Sequence, residues 1–248
     1  MGADLKDKVV LVTGAASGIG EACARRVAAG GGKVAIVDIN EEAAQAVASD
    51  IGGDAVGIAA DVGDEAAITS MVAQVVERFG RLDGAVNNAA VSGAFHRVGD
   101  HPLDDWRKLM RVNLDGVFVC VREEIRAMRG NGGGSIVNMG SVLSASGYPE
   151  QVAYTASKHA LVGLTRVAAL DHATDGIRVN AVGPGFIMTP LAESTMTAEA
   201  IAAVAPMHAL NRWGRPEEVA EIVAWLLSDA ASFATATYYP IDGGLLAR

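Results

Sequence analysis

Short runs rich in Val, Ile and Ala alternate along this chain with longer amphipathic stretches, and this alternation constrains the fold more than any other feature. The runs are KVVLVT from Lys8, KVAIVD from Lys33, AVGIAAD from Ala55, LDGAVNNA from Leu82, SIVNMGS from Ser135 and IRVNAVGPG from Ile177. Their length and β-branched content read as strands. The segments between them, such as EEAAQAVASDI from Glu41 and EAAITSMVAQVVERFG from Glu65, read as helices, with Asn40 and Asp64 placed to cap them. Strand, helix, strand in repetition means a parallel sheet. Because the strands are apolar almost throughout, helices must cover both faces, and ligands then gather at the carboxyl ends of the strands. The glycine tracts AGGGK near Gly31 and GNGGGS near Gly133 fall where helices should stop before strands.

With 248 residues and no composition break, the chain reads as one α/β domain over residues 1–248. The stretch from Pro184 to about Pro216 lacks the alternation, and residues 186–215 are the candidate lid. The net charge of −9, with no Lys/Arg cluster longer than a pair, argues against nucleic acid as a partner. The opening MGADLKDKVV holds an apolar run too short for a signal peptide or membrane span, so a cytoplasmic protein with no membrane partner is expected. Cys23 and Cys120 sit in apolar helical patterns and read as core residues, not a disulfide. The five histidines show no metal-ligand spacing, so no metal is expected.

Three groups of residues carry chemistry. Directly after the first strand comes TGAASGIG, with Gly14, Gly18 and Gly20 where the chain turns into a helix. Glycines let the backbone approach a pyrophosphate, and the helix start near Gly18 directs free N–H groups and a positive dipole end at it. Asp38 ends the second strand, 18 residues past Gly20, where a carboxylate accepts bonds from both ribose hydroxyls and repels a 2′-phosphate. Ser17, Ile39 and Asn40 bring no positive charge to that corner, which favours NAD over NADP; helix capping is the alternative role for Asp38. Asp61 and Val62, closing the third strand, offer adenine a polar and an apolar contact, and Asn87 to Ala90 end the fourth beside the same groove, unless both are ordinary turns. Finally, YTASKHAL places Tyr154 and Lys158 one helical turn apart, and an ammonium beside a phenol favours the phenolate. That is an acid/base pair.

In this order the glycine turn, Asp38, NNAA at Asn87, VN at Asn113, GS at Ser141, YTASK at Tyr154, PGFIMT at Pro184 and IDGG at Asp242 make the chain resemble, over nearly its whole length, the short-chain dehydrogenase/reductase family. The resemblance implies a single doubly wound Rossmann-type α/β domain, with a mostly parallel seven-stranded sheet and helices on both faces. It implies Tyr154 as general acid/base, Ser141 as holder of the substrate oxygen, Lys158 on the nicotinamide ribose, and Asn113 supporting a proton-relay water. Cofactor contacts then fall on Gly14, Ser17, Gly18, Ile19, Gly20, Asp38, Ile39, Asp61, Val62, Asn88, Ala89, Ala90, Tyr154, Lys158, Pro184, Gly185, Ile187 and Thr189. A homotetramer is also implied. Two departures, Ala90 and Ala236 where the family often has glycine, each add a methyl and are expected to alter only packing.

Val142, Leu143, Ser144, Tyr148, Gln151 and Phe186 flank the catalytic motifs and are the expected pocket wall. Met188, Leu191 and Met207 are the lid's contributions, although the methionines also suit a core role. Arg212 and Arg215, beyond the lid, are either anion ligands or solvated. So apolar a wall suits a small to medium ketone or secondary alcohol. The expected function is NAD-dependent alcohol and ketone interconversion. A 3-oxoacyl-[acyl-carrier-protein] reductase is the alternative, with Asp38 and the acidic charge against it. A non-catalytic nucleotide-binding scaffold would call for a missing catalytic residue, and none is missing.

Overall fold

The computed structural model describes residues 3–248, the side chains of Leu191 and Thr195 excepted. Each apolar run is a strand, with bounds that differ by at most two residues at either end: β1 Val9–Thr13, β2 Lys33–Asp38, β3 Val56–Ala59, β4 Gly84–Asn87, β5 Gly134–Met139 and β6 Ile177–Pro184. A further strand, β7 Tyr238–Ile241, completes a seven-stranded sheet of order β3-β2-β1-β4-β5-β6-β7 in which every neighbouring pair is parallel. The strand order reverses between β1 and β4, so their carboxyl ends open side by side into a crevice.

The helices are α1 Gly18–Ala29, α2 Glu41–Ile51, α3 Glu65–Phe79, α4 Leu103–Met110, α5 Val117–Arg129, α6 Val152–His172, α7 Pro190–Thr195, α8 Ala198–Val204 and α9 Pro216–Leu227. One core lies between the sheet and α1, α2 and α9; the other lies under α3, α5 and α6. Within β1, Val10 and Val12 enter the first core while Val9 and Leu11 enter the second, so the period of two persists inside an unbroken apolar run. Each such buried side chain contributes roughly 1.5–3 kcal/mol.

Local signals hold where expected. Asn40 Oδ1 accepts the Ala43 N–H at 3.1 Å, and Asp64 Oδ1 accepts those of Ala66 and Ala67 at 2.8 and 3.3 Å. In the second glycine tract a Cβ on Gly133 would lie 2.4 Å from the Gly176 carbonyl oxygen, so only glycine passes there. The candidate lid, where no periodicity was legible, folds as α7, α8 and a 3-10 turn, Ala205–Met207. Thr189 and Thr197 cap the two short helices, and Gly214 pinches the loop shut by backbone bonds to Phe186 and Met188.

Ala236 corrects one expectation. Its φ is +61°, so the methyl brings backbone strain of about 1–2 kcal/mol and not altered packing alone; a 2.8 Å bond from its N–H to the Val179 carbonyl holds it there. Cys23 and Cys120 are buried and free. Among the described residues, no helix is long and apolar enough to cross a membrane, and no three His, Cys, Asp or Glu side chains converge to hold a metal ion.

Candidate active site

The phosphate end is built from backbone. Gly14 and Gly18 take φ of +61° and +58°, and Ser17 starts α1 in extended conformation without spending its hydroxyl on a cap. The first-turn N–H groups therefore face outward with a positive dipole end. A Cβ on Gly20 would sit 2.1 Å from the Gly14 carbonyl oxygen, and one on Gly14 would sit 2.8 Å from Ala89 Cα. Asn88 locks this turn, its Nδ2 donating to the carbonyls of Thr13 and Gly14 at 3.1 and 3.0 Å. The Thr13 hydroxyl in turn accepts the N–H groups of Asn88 and Ala89. Thr13 escaped the sequence reading because a lone threonine ending a strand carries no pattern.

Asp38 braces the same corner. One carboxylate oxygen accepts the Ala16 N–H from the glycine turn and the other accepts that of Asn40, each at 3.1 Å, so a capping bond and an outward-facing acid coexist. Ile39 beside it is 73% exposed, an apolar surface for a flat ring. Asp61 accepts the Gly63 N–H at 2.7 Å. Val62 departs from expectation: its side chain is buried in the second core, so it offers adenine no apolar face. A cradle free of side chains, unspent helix-start donors and an acid on the neighbouring strand fit a nicotinamide dinucleotide.

Ser141 opens a 3-10 turn, Val142–Ser144, where its Oγ accepts the Leu143 N–H and Ser144 Oγ accepts the Ser141 N–H, each at 3.2 Å. The Tyr238 hydroxyl, from β7, donates to the Ser141 carbonyl at 2.7 Å. Tyr154, in the first turn of α6, is hydrogen-bonded to the Ser141 side chain. Lys158 is buried; its Nζ donates to the Met139 carbonyl at 2.7 Å and lies 5.5 Å from the centre of the Tyr154 ring. Burial raises the Tyr154 pKa while the Ser141 bond opposes the rise, and burial pulls Lys158 down to about 8. The expected phenolate is thus corrected: desolvation dominates, and the phenol is protonated at neutral pH.

Asn113 lies in a π-helical turn, Arg111–Gly116, between α4 and α5. Its amide bonds one residue twice, accepting the Val91 N–H at 2.9 Å and donating to the Val91 carbonyl at 2.8 Å. The side chain therefore clamps the loop after Asn88–Ala90; such π turns often mark functional sites. Beneath the site floor, Glu124 accepts from Asn87 Nδ2, which also donates to Asn138 Oδ1, and Asn138 Nδ2 donates to Thr165. Burial pushes Glu124 up to about 8.

A cleft of about 340 Å³ joins Ser141, Tyr154 and Lys158 to Ile19, Asn88, Ala90 and the stretch from Pro184 to Ile187 with Thr189. It is also lined by Phe186, Ala192, Met196 and Trp213. Of the expected wall residues whose side chains are described, only Phe186 is there. Val142, Ser144 and Gln151 are buried away from it, Ser144 because its hydroxyl caps Ser141 and Gln151 because it starts α6 and bridges to His96. Leu143, Tyr148, Met188 and Met207 do not line it, and Tyr148 and Met207 are exposed. Leu191 lies among the side chains outside the described residues. Met139, Met196 and Trp213 were missed: an acceptor carbonyl leaves no sequence signal, and the other two lie in aperiodic lid sequence. Arg212 is committed to Glu218 at 2.7 and 2.8 Å, and Arg215 lies 3.7 Å from the same carboxylate.

The comparisons agree with this geometry. A family model described as "Enoyl-(Acyl carrier protein) reductase" matches residues 14–246. The chain is 43% identical to 2,5-dichloro-2,5-cyclohexadiene-1,4-diol dehydrogenase of Sphingobium indicum, over 98% of this chain and 99% of the relative. It is 40% identical to cyclohexanol dehydrogenase of an Acinetobacter species, over 98% and 96%. The crystal structure of levodione reductase superimposes with a TM-score of 0.94 at 38% identity, covering 98% of each chain. The likeness runs along almost the entire length of this chain and of its relatives, and the chain belongs to the short-chain dehydrogenase/reductase family of oxidoreductases.

Proposed function

We propose that this enzyme interconverts a secondary alcohol and a ketone with NAD, on a small to medium substrate with an apolar, cyclic body. The observation that carries the reading is the contact of Ser141, Tyr154 and Lys158 in a cleft also lined by Phe186, Met196 and Trp213. Among the described residues that line the cleft, no Lys or Arg besides Lys158 stands ready to hold a phosphate or carboxylate. Relatives named for a cyclohexadiene diol and for cyclohexanol support the ring.

A bound nicotinamide supplies the hydride acceptor or donor. Ser141 and Tyr154 present two hydroxyls to one substrate oxygen, and Tyr154 takes the alcohol's proton or returns it to the ketone. Lys158, held by Met139, lowers the cost of the phenolate formed in oxidation. Asn113 keeps the Val91 loop in place, and the lid's apolar wall excludes water. Asp38 selects NAD by accepting from the ribose hydroxyls and repelling a phosphate there.

Reduced-nicotinamide absorbance with NAD or NADP, against cyclohexanol, cyclohexanone and open-chain alcohols, tests the reading. Turnover with NAD and cyclohexanol is expected, and Asp38→Asn should narrow the NAD preference about tenfold or more. Turnover with NADP alone would overturn the role of Asp38. A carrier-protein reductase has the family model's description in its favour, but a chain of net charge −9 lacks the basic surface that an acidic carrier needs.

The same reading makes the enzyme a single-domain cytoplasmic homotetramer, in keeping with its free buried thiols. Exposed Leu103, Phe118, Val167 and Leu170 on α4, α5 and α6 supply the apolar faces for subunit contact. Light scattering that returned only monomer at micromolar concentration would refute the assembly and leave the catalytic argument standing.

A further inference from the structure

His208 follows the 3-10 turn of the lid and is 2% exposed, in a slot between two glycines. A Cβ on Gly185 would lie 3.0 Å from its Nε2, and one on Gly243 would lie 3.4 Å from its Cβ. The Phe186 N–H donates to Nε2 at 3.2 Å. A ring nitrogen that accepts carries no proton, so Nε2 offers its lone pair to this bond. Nδ1 has no partner among the described residues. Three charged residues line the cavity that His208 borders, and all are engaged elsewhere: Arg212 with Glu218, and Asp242 with the N–H groups of Gly244 and Leu246.

The ring also meets Phe186 edge to face at 5.8 Å, and Phe186 meets Trp213 in the same way at 5.7 Å. Phe186 and Trp213 line the same cleft as Tyr154. The Asn211 N–H bonds the His208 carbonyl at 3.0 Å, with Asn211 at a positive φ of 52°, so the chain returning from the lid is turned at this residue. One side chain thereby joins the exit of β6, the returning lid and the carboxyl-terminal turn.

We infer that His208 is a positioning residue for the substrate wall: its Nε2 lone pair fixes the Phe186 backbone where the chain leaves β6 for the lid, and so sets the place of the Phe186 and Trp213 rings. This rests on the alcohol and ketone reading for the identity of the wall. It does not rest on it for the anchoring. A leucine at 208 fills the slot but leaves the Phe186 N–H unpaired. A glutamine places an acceptor at about the reach of Nε2, whereas an asparagine reaches only to the position of Nδ1.

The test measures cyclohexanol oxidation with NAD, NADH binding by fluorescence, and protease cleavage within residues 186–215 mapped by mass spectrometry. His208→Leu is expected to raise KM for cyclohexanol roughly tenfold, with NADH affinity held within about twofold and faster cleavage in the lid. His208→Gln should restore both, and His208→Asn should not. Kinetics and cleavage of His208→Leu that match the wild type would overturn the inference. If His208→Leu does not fold, the Gln and Asn pair decides: wild-type behaviour of Gln with a raised KM in Asn supports it, and equal behaviour of the two overturns it. Wild-type protein silent toward cyclohexanol and cyclohexanone would refute the substrate reading, while the cleavage comparison would still decide the role of His208.

Discussion

Tyr154→Phe is expected to lower turnover roughly 10²–10⁴-fold while NADH binds as before, because it deletes the one proton carrier and almost none of the surface. The phenol is hydrogen-bonded to Ser141 and lies beside Lys158, and burial keeps it protonated at neutral pH. It is therefore ready as an acid for ketone reduction, whereas alcohol oxidation must wait for its deprotonation. Oxidation by the wild type should rise toward alkaline pH and reduction should fall. In Tyr154→Phe both dependences should vanish with the rate. The check is initial rates in both directions across pH, beside NADH fluorescence; a variant that kept wild-type turnover would sink the assignment of Tyr154.

Glu124→Gln is expected to stabilise the protein at neutral and alkaline pH by a few kcal/mol and to leave its stability near pH 4 unchanged. Glu124 is fully buried on α5, bonded to Asn87, and burial pushes its carboxyl up to about 8. At low pH the acid is protonated in both the folded and the unfolded chain and contributes no difference. Above the unfolded pKa the unfolded chain releases its proton and the folded one does not, so stability falls by about 1.4 kcal/mol per pH unit. The fall stops when the folded carboxyl itself ionises. Glutamine keeps an oxygen for Asn87 and has no proton to lose. Thermal melts at pH 4.5 and 8.5 should separate the two proteins by at least about 5 °C only at the higher pH. Equal melting temperatures at both would mean that Glu124 is ionised in the fold or that the folded state relaxes around it.

The two predictions draw on different kinds of information. The Tyr154 and Lys158 pair was legible because a helix turns a spacing of four into a shared face, whatever surrounds it. Glu124 was not. It sits in a helix-like stretch where a glutamate normally faces water, and only the packing of α5 on the sheet shows that it points inward.

By itself the sequence determined what depends on neighbours along the chain: strands from unbroken apolar runs, caps at Asn40 and Asp64, the glycine turn into α1, and the order of motifs that marks the family. Only the tertiary structure decided what depends on distant segments meeting. It brought the Met139 carbonyl to Lys158, packed elements around Tyr154 so that desolvation raises its pKa, turned Ser144 away to cap Ser141, and brought Met196 and Trp213 to the cleft. The physical reason is the range of the forces involved. Backbone geometry and capping act within a turn or two and leave a period in the sequence. Desolvation and side-chain packing depend on every element that closes over a site, and no spacing along the chain records them.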